Sequence, residues 1–345
     1  MPDSERPTLI HILSLCKGDV DPEVRFDRLE NFVITCPDEK PAVNRMLKRC
    51  KKCCYVHTEA FKFEIKQMEF VWKVTKPESD LVKTIIKHAN SIEITNTILS
   101  NSQSRLPLSK WFTDALAERT KDAHVDFTFS TVRQLVAVIP FKCVVGITIS
   151  KTTDNMCTVI GHNKHIQSVT LGDYDDEMPL PPVSALALPI GNRNFDVARL
   201  CKSVHPSTET LSLLLHLRNF DDMMFRIAWL LRTKVKQLIV SICFQESPTT
   251  AGQVGTNQRA IQVYSQQMKL FVTKTLTAST VDSVILSVDM DLVHVTPETQ
   301  DESLEEVLQR ANKHNTVNDT DDVIDFIEIP LIHTSKHYVK LSALY

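Results

Sequence analysis

The stretch that decides the fold is VDFTFSTVRQLVAVIPFKCVVGITISKTTDNMCTVIGHNKHIQSVT, residues 125–170. It is rich in β-branched and aromatic residues, a composition typical of strands. Apolar residues at helical spacing predict amphipathic helices on either side of it. These helices cover residues 79–89, 109–121, 208–217 and 221–232. Because helices and strands interleave, we predict an α+β fold in which helices pack on a largely antiparallel β-sheet.

The chain also shows signs of a division into parts. Acidic residues and prolines concentrate at residues 172–182, which form the best candidate for an internal boundary. Further strands are predicted at residues 235–244 and 281–295. We therefore predict a mixed α/β body, residues 1–322, followed by a C-terminal strand-forming arm, residues 323–345.

Composition limits the class of protein. The chain has 345 residues, of which 43% are hydrophobic and 23% charged, so it can form a core and is not mostly disordered. Only seven of the 345 residues, about 2%, are glycine, whereas the average usage is about 7%. This low glycine content argues against the common nucleotide-binding folds, which use glycine-rich phosphate loops. No apolar run reaches about 18 residues, and the first residues are polar, so we expect neither a membrane span nor a secretory signal.

A group of cysteines with one histidine raises the question of a metal site. Cys50, Cys53, Cys54 and His57 include a Cys-x-x-Cys spacing, but a structural zinc site normally needs a second pair of ligands, and no such pair stands out. A second group, Cys157, His162 and His165, lacks a fourth ligand. The nine cysteines follow no pattern, which is typical of free thiols in a reducing compartment. We therefore predict no metal and no cofactor, and interpret these cysteines as small buried apolar residues.

The most informative pattern is basic. Residues 40–76 contain ten Lys or Arg against three Glu, in a chain whose net charge is −3. Residues 38–54 have helical spacing with basic side chains on one face, and the next segment interleaves lysines with aromatic rings that are either core residues or stack on bases. A solvated helix face is one interpretation; we predict single-stranded RNA as a partner, because a one-signed cluster attracts phosphates. The predicted RNA-binding residues are Arg45, Lys48, Arg49, Lys51, Lys52, Lys62 and Lys66.

The C-terminal arm is the second informative feature. Residues 296–328, just before and within it, carry ten acidic residues against two basic ones. A terminal strand after a polar linker can pair with its own sheet or with a second copy, and the pattern leaves both alternatives open. The second alternative predicts a dimer or a higher homo-oligomer. The predicted oligomerisation residues are Phe326, Ile327, Ile329, Leu331, Ile332, Tyr338, Val339 and Leu341.

Two other functions remain as alternatives. A viral capsid or matrix protein without RNA chemistry fits the β-rich blocks equally well. Asp289 and Asp291 end an apolar strand with both carboxylates on one face, an arrangement that suits Mg²⁺ and a phosphohydrolase. The solvent face of a half-buried strand shows the same alternation, so no catalytic residue is assigned.

Three features carry a family resemblance. They are the opening MPDSER, the basic segment RCKKCCYVH at residues 49–57, and the apolar arm at residues 323–345. Together they resemble the viroplasm matrix proteins of plant and insect reoviruses, of the fijivirus type. The resemblance implies a non-structural viral protein that binds single-stranded RNA, self-associates through its C-terminal arm and builds inclusion bodies in the host cytoplasm. Nucleotide hydrolysis, associated with that family, is not carried over, because the sequence lacks a phosphate-binding loop.

Overall fold

A computed structural model of the chain contains two compact units, Met1–Gly172 and Asp173–Tyr345. It describes residues 20–57, 59–76, 78–96, 107–128, 131–175, 177–190, 195–217, 220–244, 269–276, 279–291 and 326–344, together with Ser14 and Gln266. Among these residues, no helix is both long enough and apolar enough to cross a membrane.

The first unit begins with two helices and three antiparallel strands, after which helices and strands alternate. The helices are α1 (Pro22–Thr35) and α2 (Lys40–Leu47), joined by a 3₁₀ turn (Pro37–Glu39), and the strands are β1 (Lys52–Val56), β2 (Ala60–Ile65) and β3 (Met68–Lys73). The alternating part comprises α3 (Asp80–His88), β4 (Ser91–Thr95), α4 (Lys110–Ala117), β5 (Ala123–Thr128), α5 (Val132–Val138), β6 (Val144–Ile149), α6 (Asp154–Gly161) and β7 (Ser168–Leu171).

Strand order in the first unit largely follows the sequence: β7-β6-β5-β4-β1-β2-β3. The pairs from β1 through β4 to β7 are parallel, and only the β1–β2 and β2–β3 pairs are antiparallel. The edge strand β3 is covered, because α1 packs against it and the Arg25 guanidinium donates a hydrogen bond to the Glu69 carbonyl oxygen (2.5 Å). Such a cover protects the unpaired backbone groups of an edge strand.

The second unit repeats this plan. Its elements are β8 (Ala185–Ile190), α7 (Val197–Ser203), β9 (Thr210–Leu217), α8 (Phe220–Leu230), β10 (Gln237–Phe244), β11 (Ser283–Asp291), β12 (Phe326–His333) and β13 (His337–Leu344). Residues 269–276 are also helical. The order is β12-β13-β11-β10-β9-β8, with every pair parallel except β12–β13.

The predicted combination of helices with a sheet is confirmed, but the sheet is largely parallel, so the antiparallel prediction was wrong. The connection decides strand direction: a helix between two strands returns the chain to the edge where the first strand began. Strands begin at residues 91, 123, 144 and 168 in the first unit and at 185, 210 and 237 in the second. One strand and one helix thus form a structural repeat, although the sequence shows no repeated motif.

Residues 208–217, predicted as a helix, contain strand β9 instead. Leucine favours helices in isolation, but here Leu211, Leu213 and Leu215 alternate with half-buried residues and are at most 2% exposed. β9 pairs on both sides, with β8 and β10. Pairing and burial on alternate positions outweigh the intrinsic preference.

The helix predicted at residues 38–54 was also wrong in its second half. Helix α2 ends at Leu47, and β1 begins at Lys52. Backbone groups of β1 bond to β2 on one side and β4 on the other, and Cys53 and Tyr55 are buried on one face of it. The residues whose spacing predicted one helix over 38–54 therefore belong to a helix, a turn and a strand in succession.

The predicted C-terminal arm forms a hairpin within the second unit. Its strand β13 pairs in parallel with β11 of the same chain over the register from Val284–His337 to Asp291–Leu344. Val339 is 0% exposed and Leu341 2% exposed, so these two predicted oligomerisation residues belong to the core of this unit. Of the two alternatives for the arm, the one present in the structure is pairing with its own sheet.

Strand β12 lies at the edge of the second unit's sheet. Pro330 and a register shift between Pro330 and Ile332 interrupt its pairing with β13, features that discourage a further strand from adding to an edge. Ile332 and Tyr338 are half-buried. The side chains of four other predicted oligomerisation residues lie outside the described part of the chain: Phe326, Ile327, Ile329 and Leu331.

Candidate functional site

The sheet of the first unit has one covered face and one open face. In β4, Ile92 and Ile94 are buried in the core, whereas Glu93 between them is half-buried. Successive side chains of a strand point to opposite faces, so the half-buried positions form one surface, named here the open face. One row across it runs Lys62, Cys54, Glu93, Asp126, Thr148 and Thr170, and the next runs Lys52, Ser91, His124, Gly146 and Ser168.

Charged groups pair at the centre of the open face. Lys52 Nζ lies 3.0 Å from Glu93 Oε2 and 4.0 Å from Asp126 Oδ2. His124 Nε2 lies 3.2 Å from Asp126 Oδ1, and the Ser91 hydroxyl donates to Asp126 Oδ2 (3.1 Å). The hydrogen bond from His124, aided by Ser91 and Lys52, holds the pKa of the Asp126 carboxyl below its usual range despite partial burial. The carboxylate of Glu93 raises the pKa of Lys52, so Lys52 and Asp126 are both charged at neutral pH.

A glycine makes room for the histidine of this network. A Cβ atom at Gly146 would lie 2.3 Å from His124 Nδ1 and 2.7 Å from Ser168 Oγ, closer than packed atoms approach. The His124 ring lies over the glycine in the neighbouring strand, where Nε2 is 2.8 Å from the Thr148 hydroxyl oxygen. The absence of a side chain at Gly146 therefore positions His124 on the open face.

The second unit has an open face of different chemistry. Ile239, Ile285 and Tyr338 are half-buried and lie in one row, and Leu214 lies beside Pro189 in the next. The alternate residues in these strands, whose side chains point to the opposite face, form the buried core. The same face also carries polar side chains, Ser212 in the first of these rows and Ser241, Ser287 and Lys340 in the second. Its chemistry is therefore mixed, with one apolar row across β10, β11 and β13.

The seven predicted RNA-binding residues all have exposed side chains, but the structure divides them between two surfaces. The first is the edge at which the parallel strands of the first unit begin, named here the amino edge. Because β2 runs antiparallel to β1, the β2–β3 turn also lies at this edge. At the amino edge lie Arg45, Lys48, Arg49, Lys51 and Lys66, whereas Lys52 and Lys62 lie on the open face.

The aromatic rings near these lysines are not available to nucleic acid bases. Phe61, Phe63, Phe70 and Trp72 are at most 3% exposed. Phe63 stacks on Phe70 with ring centroids 4.9 Å apart, and Trp72 meets Trp111 edge to face at 5.0 Å. The interpretation of some of these rings as base-stacking groups was therefore wrong, and all four are core residues.

One basic group at the amino edge was missed by the sequence reasoning. Arg119 is 6% exposed, and its guanidinium donates to the carbonyl oxygens of Ile86 and Ala89 (2.5 Å each), at the end of α3. It also donates to the carbonyl oxygens of Lys121 (2.6 Å) and Asp122 (2.7 Å). A basic residue just after a helix is a weak signal for such a role, and the partner helix is about thirty residues away in sequence.

His88 lies at the end of α3, close to several cations. Burial first, and then the positive charges of Lys48, Lys121 and Arg119, lower the pKa of His88. Its Nδ1 atom is shut away from solvent without a hydrogen-bond partner. Lys48 belongs to the predicted set, whereas the meeting of the α2–β1, α3–β4 and α4–β5 connections around His88 could not be read from the sequence.

The cysteine and histidine group does not converge. Cys53 and Cys54 point to opposite faces of β1, and burial raises the pKa of Cys54 to about 11. His57 is buried, with Nε2 3.1 Å from the Pro107 carbonyl oxygen and Nδ1 3.3 Å from Gln134 Nε2. In the described part of the chain, no three His, Cys, Asp or Glu side chains are arranged to hold a metal ion.

The acidic pair of the phosphohydrolase alternative lies at the end of β11. Asp289 is half-buried on the open face of the second unit, in one row with Cys243 and His216. Burial, and then the charge of Asp289, raise the pKa of the Cys243 thiol, so this thiol is protonated and a weak nucleophile at neutral pH. The side chain of Asp291 lies outside the described residues.

Comparison with known protein families, with curated proteins and with solved structures finds no match for this chain.

Proposed function

We propose that this chain is a non-catalytic binding protein whose second unit receives a polypeptide partner on its open face. The observation that carries the proposal is the row of half-buried apolar side chains, Ile239, Ile285 and Tyr338, with Leu214 and Pro189 alongside. Parallel sheets occur almost only with both faces covered. A row of apolar side chains on the second face of such a sheet therefore favours a covering partner.

Repeat architecture supports the same proposal. Proteins built from stacked strand–helix repeats present extended surfaces, and they use these surfaces mainly for binding. The open face of the first unit carries paired charges instead, Lys52 with Glu93 and Asp126 with His124, so the proposed partner binds the second unit.

Site-specific photocrosslinking tests this proposal. A benzophenone amino acid placed at Ile239 or Ile285 of the full chain should give the same discrete polypeptide adduct, identified by mass spectrometry, in an extract of the native source. The same probe at Lys202, exposed on α7, should not give it. Leu214→Asp should remove the adduct from position 239. Adducts that are equal at all three positions would overturn the proposal, and an adduct of the chain with itself identifies the partner as a second copy.

A second candidate function is binding of single-stranded RNA, favoured by five exposed basic residues at the amino edge. Lys52 lies on the open face, where it pairs with Glu93, whereas Lys66 lies at the amino edge with the other four. Four phosphate contacts give a log–log salt slope of about −3 on single strands. Changing Arg45, Lys48, Arg49 and Lys66 to Glu should abolish binding of an oligouridylate with the fold intact; unchanged affinity would exclude this candidate. The viroplasm scaffold role rests on the family resemblance and on this RNA binding.

A further inference from the structure

We propose that the amino edge of the first unit binds a phosphomonoester dianion, held by His88 between Lys48 and Lys121. This site lies on a different surface from the open faces, so it does not depend on the proposed polypeptide partner. The ligand class follows from three observations: the convergence of three chain connections, the neutralisation of a helix end by Arg119, and the state of the His88 ring.

Backbone hydrogen bonds hold the three connections side by side. The amide groups of Asn90 and Ser91 both donate to the Lys51 carbonyl oxygen (2.9 and 3.0 Å). The His124 amide donates to the Asn90 carbonyl oxygen (3.0 Å). The connection that carries Lys48, the helix end that carries His88, and the connection that carries Lys121 are therefore neighbours, although they are distant in sequence.

Arg119 removes the main obstacle to an anion at this place. A helix C-terminus carries a partial negative charge from its unpaired carbonyl groups. Here the guanidinium binds the Ile86 and Ala89 carbonyl oxygens at the end of α3 and adds a full positive charge beneath the surface. The helix end that would repel a phosphate is thus converted into part of a cationic site.

The His88 ring has one nitrogen free to act at the surface. Nδ1 is inaccessible and has no partner among the described groups, so a neutral ring carries its proton on Nε2, where it can donate. The surrounding positive charges and burial favour the neutral ring. A neutral imidazole that is not paired with a carboxylate of the protein can donate its Nε2–H to an anion, and the neighbouring cations attract that anion.

The acidic groups nearby do not fill the site. Glu118 is occupied by an ion pair with Lys87. The side chain of Asp122 is exposed to solvent, while its carbonyl oxygen accepts from Arg119. Lys48 and Lys121 are exposed, and their charges act on the His88 ring. Two ammonium groups with one imidazole N–H match the charge of one phosphate dianion, whereas a phosphodiester, with one charge, suits the longer row of basic residues at the edge.

NMR of the histidine rings of the full chain tests the site. The His88 resonance is assigned by its loss in His88→Gln, and inorganic phosphate and phosphoserine are titrated in separate arms at constant ionic strength. We expect a saturable shift of the His88 resonance with a phosphomonoester, while exposed His162 stays unchanged. The stronger of the two ligands distinguishes free phosphate from a phosphorylated side chain as the source.

Charge-reversal variants supply the control. Lys48→Glu with Lys121→Glu should weaken phosphate binding about tenfold or more, and Lys202→Glu, an exposed lysine in the second unit, should leave it unchanged. No saturable shift in the unaltered chain, or an equal shift in the double variant, overturns the proposal. An oligouridylate that binds at His88 more tightly per phosphate than phosphoserine also overturns it, and favours RNA.

Discussion

At the scale of single residues, the arrangement of side chains on the open face of the first unit depends on one position that has no side chain. Gly146 allows the His124 ring to reach Asp126 and Thr148. His124 in turn holds Asp126 charged. The sequence indicates strands at both places, but it does not indicate this dependence, because strand register decides which residue of β6 faces His124.

Gly146→Ala should destabilise the chain by about 1–3 kcal/mol, the usual cost of overpacking. The added methyl group would overlap His124 Nδ1. Equilibrium unfolding in urea measures this loss. The methyl group would also overlap Ser168 Oγ. In a chain that already carries His124→Ser and Ser168→Ala the same change should therefore cost much less, and an equal cost in both backgrounds would refute the steric explanation.

The Asp126 carboxylate contributes to the free energy of unfolding, and the direction in which this contribution changes with pH follows from its pKa. Its folded pKa is depressed, so its stabilisation is complete above the unfolded value, about 3.9, and is lost as the pH falls through the lower folded pKa. Asp126→Asn should therefore reduce the free energy of unfolding at pH 7 and have progressively less effect below the unfolded pKa. Asp122→Asn, at an exposed position, serves as the control in the same urea titrations, and a pH-independent difference for Asp126→Asn would contradict the linkage.

At the scale of elements, local periodicity predicted helices well where one face alone is apolar. The helices predicted at 79–89 and 109–121 correspond to α3, Asp80–His88, and α4, Lys110–Ala117. Residues 208–217 were predicted as a helix but contain a strand, because a leucine-rich strand and a leucine-rich helix differ only in spacing. Strand direction and the cation site around His88 were not predictable, since both depend on which connections become neighbours.

Arg119 links two of these elements, and its replacement should reveal their coupling. Arg119→Lys keeps the charge but cannot reach four carbonyl oxygens at once, so we expect a loss of about 2 kcal/mol in the free energy of unfolding. Hydrogen exchange should become faster at the end of α3. Lys121→Ala, a change at an exposed side chain, should stay within about 0.5 kcal/mol; equal losses for both variants would contradict the assigned role.

At the scale of the whole molecule, the C-terminal segment decides between a self-contained unit and an exchangeable arm. In the structure β13 completes the second unit by pairing with β11 and burying Val339 and Leu341. An acidic linker before a terminal strand suggested either outcome. The sequence could not separate them, because pairing with one's own sheet and with a second copy requires the same apolar pattern.

Truncation after Asp322 should therefore destabilise the second unit, because it removes both the strand that pairs with β11 and the buried side chains of Val339 and Leu341. Thermal unfolding followed by circular dichroism measures this effect, and light scattering gives the mass in solution. Leu341→Asp should reproduce the loss, whereas Lys340→Asp, half-buried in the opposite phase, should be much milder. A truncated chain that stays fully stable while its mass falls from dimer to monomer would instead establish an exchanged arm.

The nearly sequential strand order has a consequence for synthesis on the ribosome. From β4 to β7 and from β8 to β11, each new strand pairs with the strand made just before it, so these contacts form early and over short stretches of chain, which favours rapid folding. β11 is different, since its outer neighbour β13 begins only at residue 337. During translation the nascent second unit therefore carries an unpaired strand until β13 has left the exit tunnel, and an unpaired strand edge in a nascent chain is prone to aggregation.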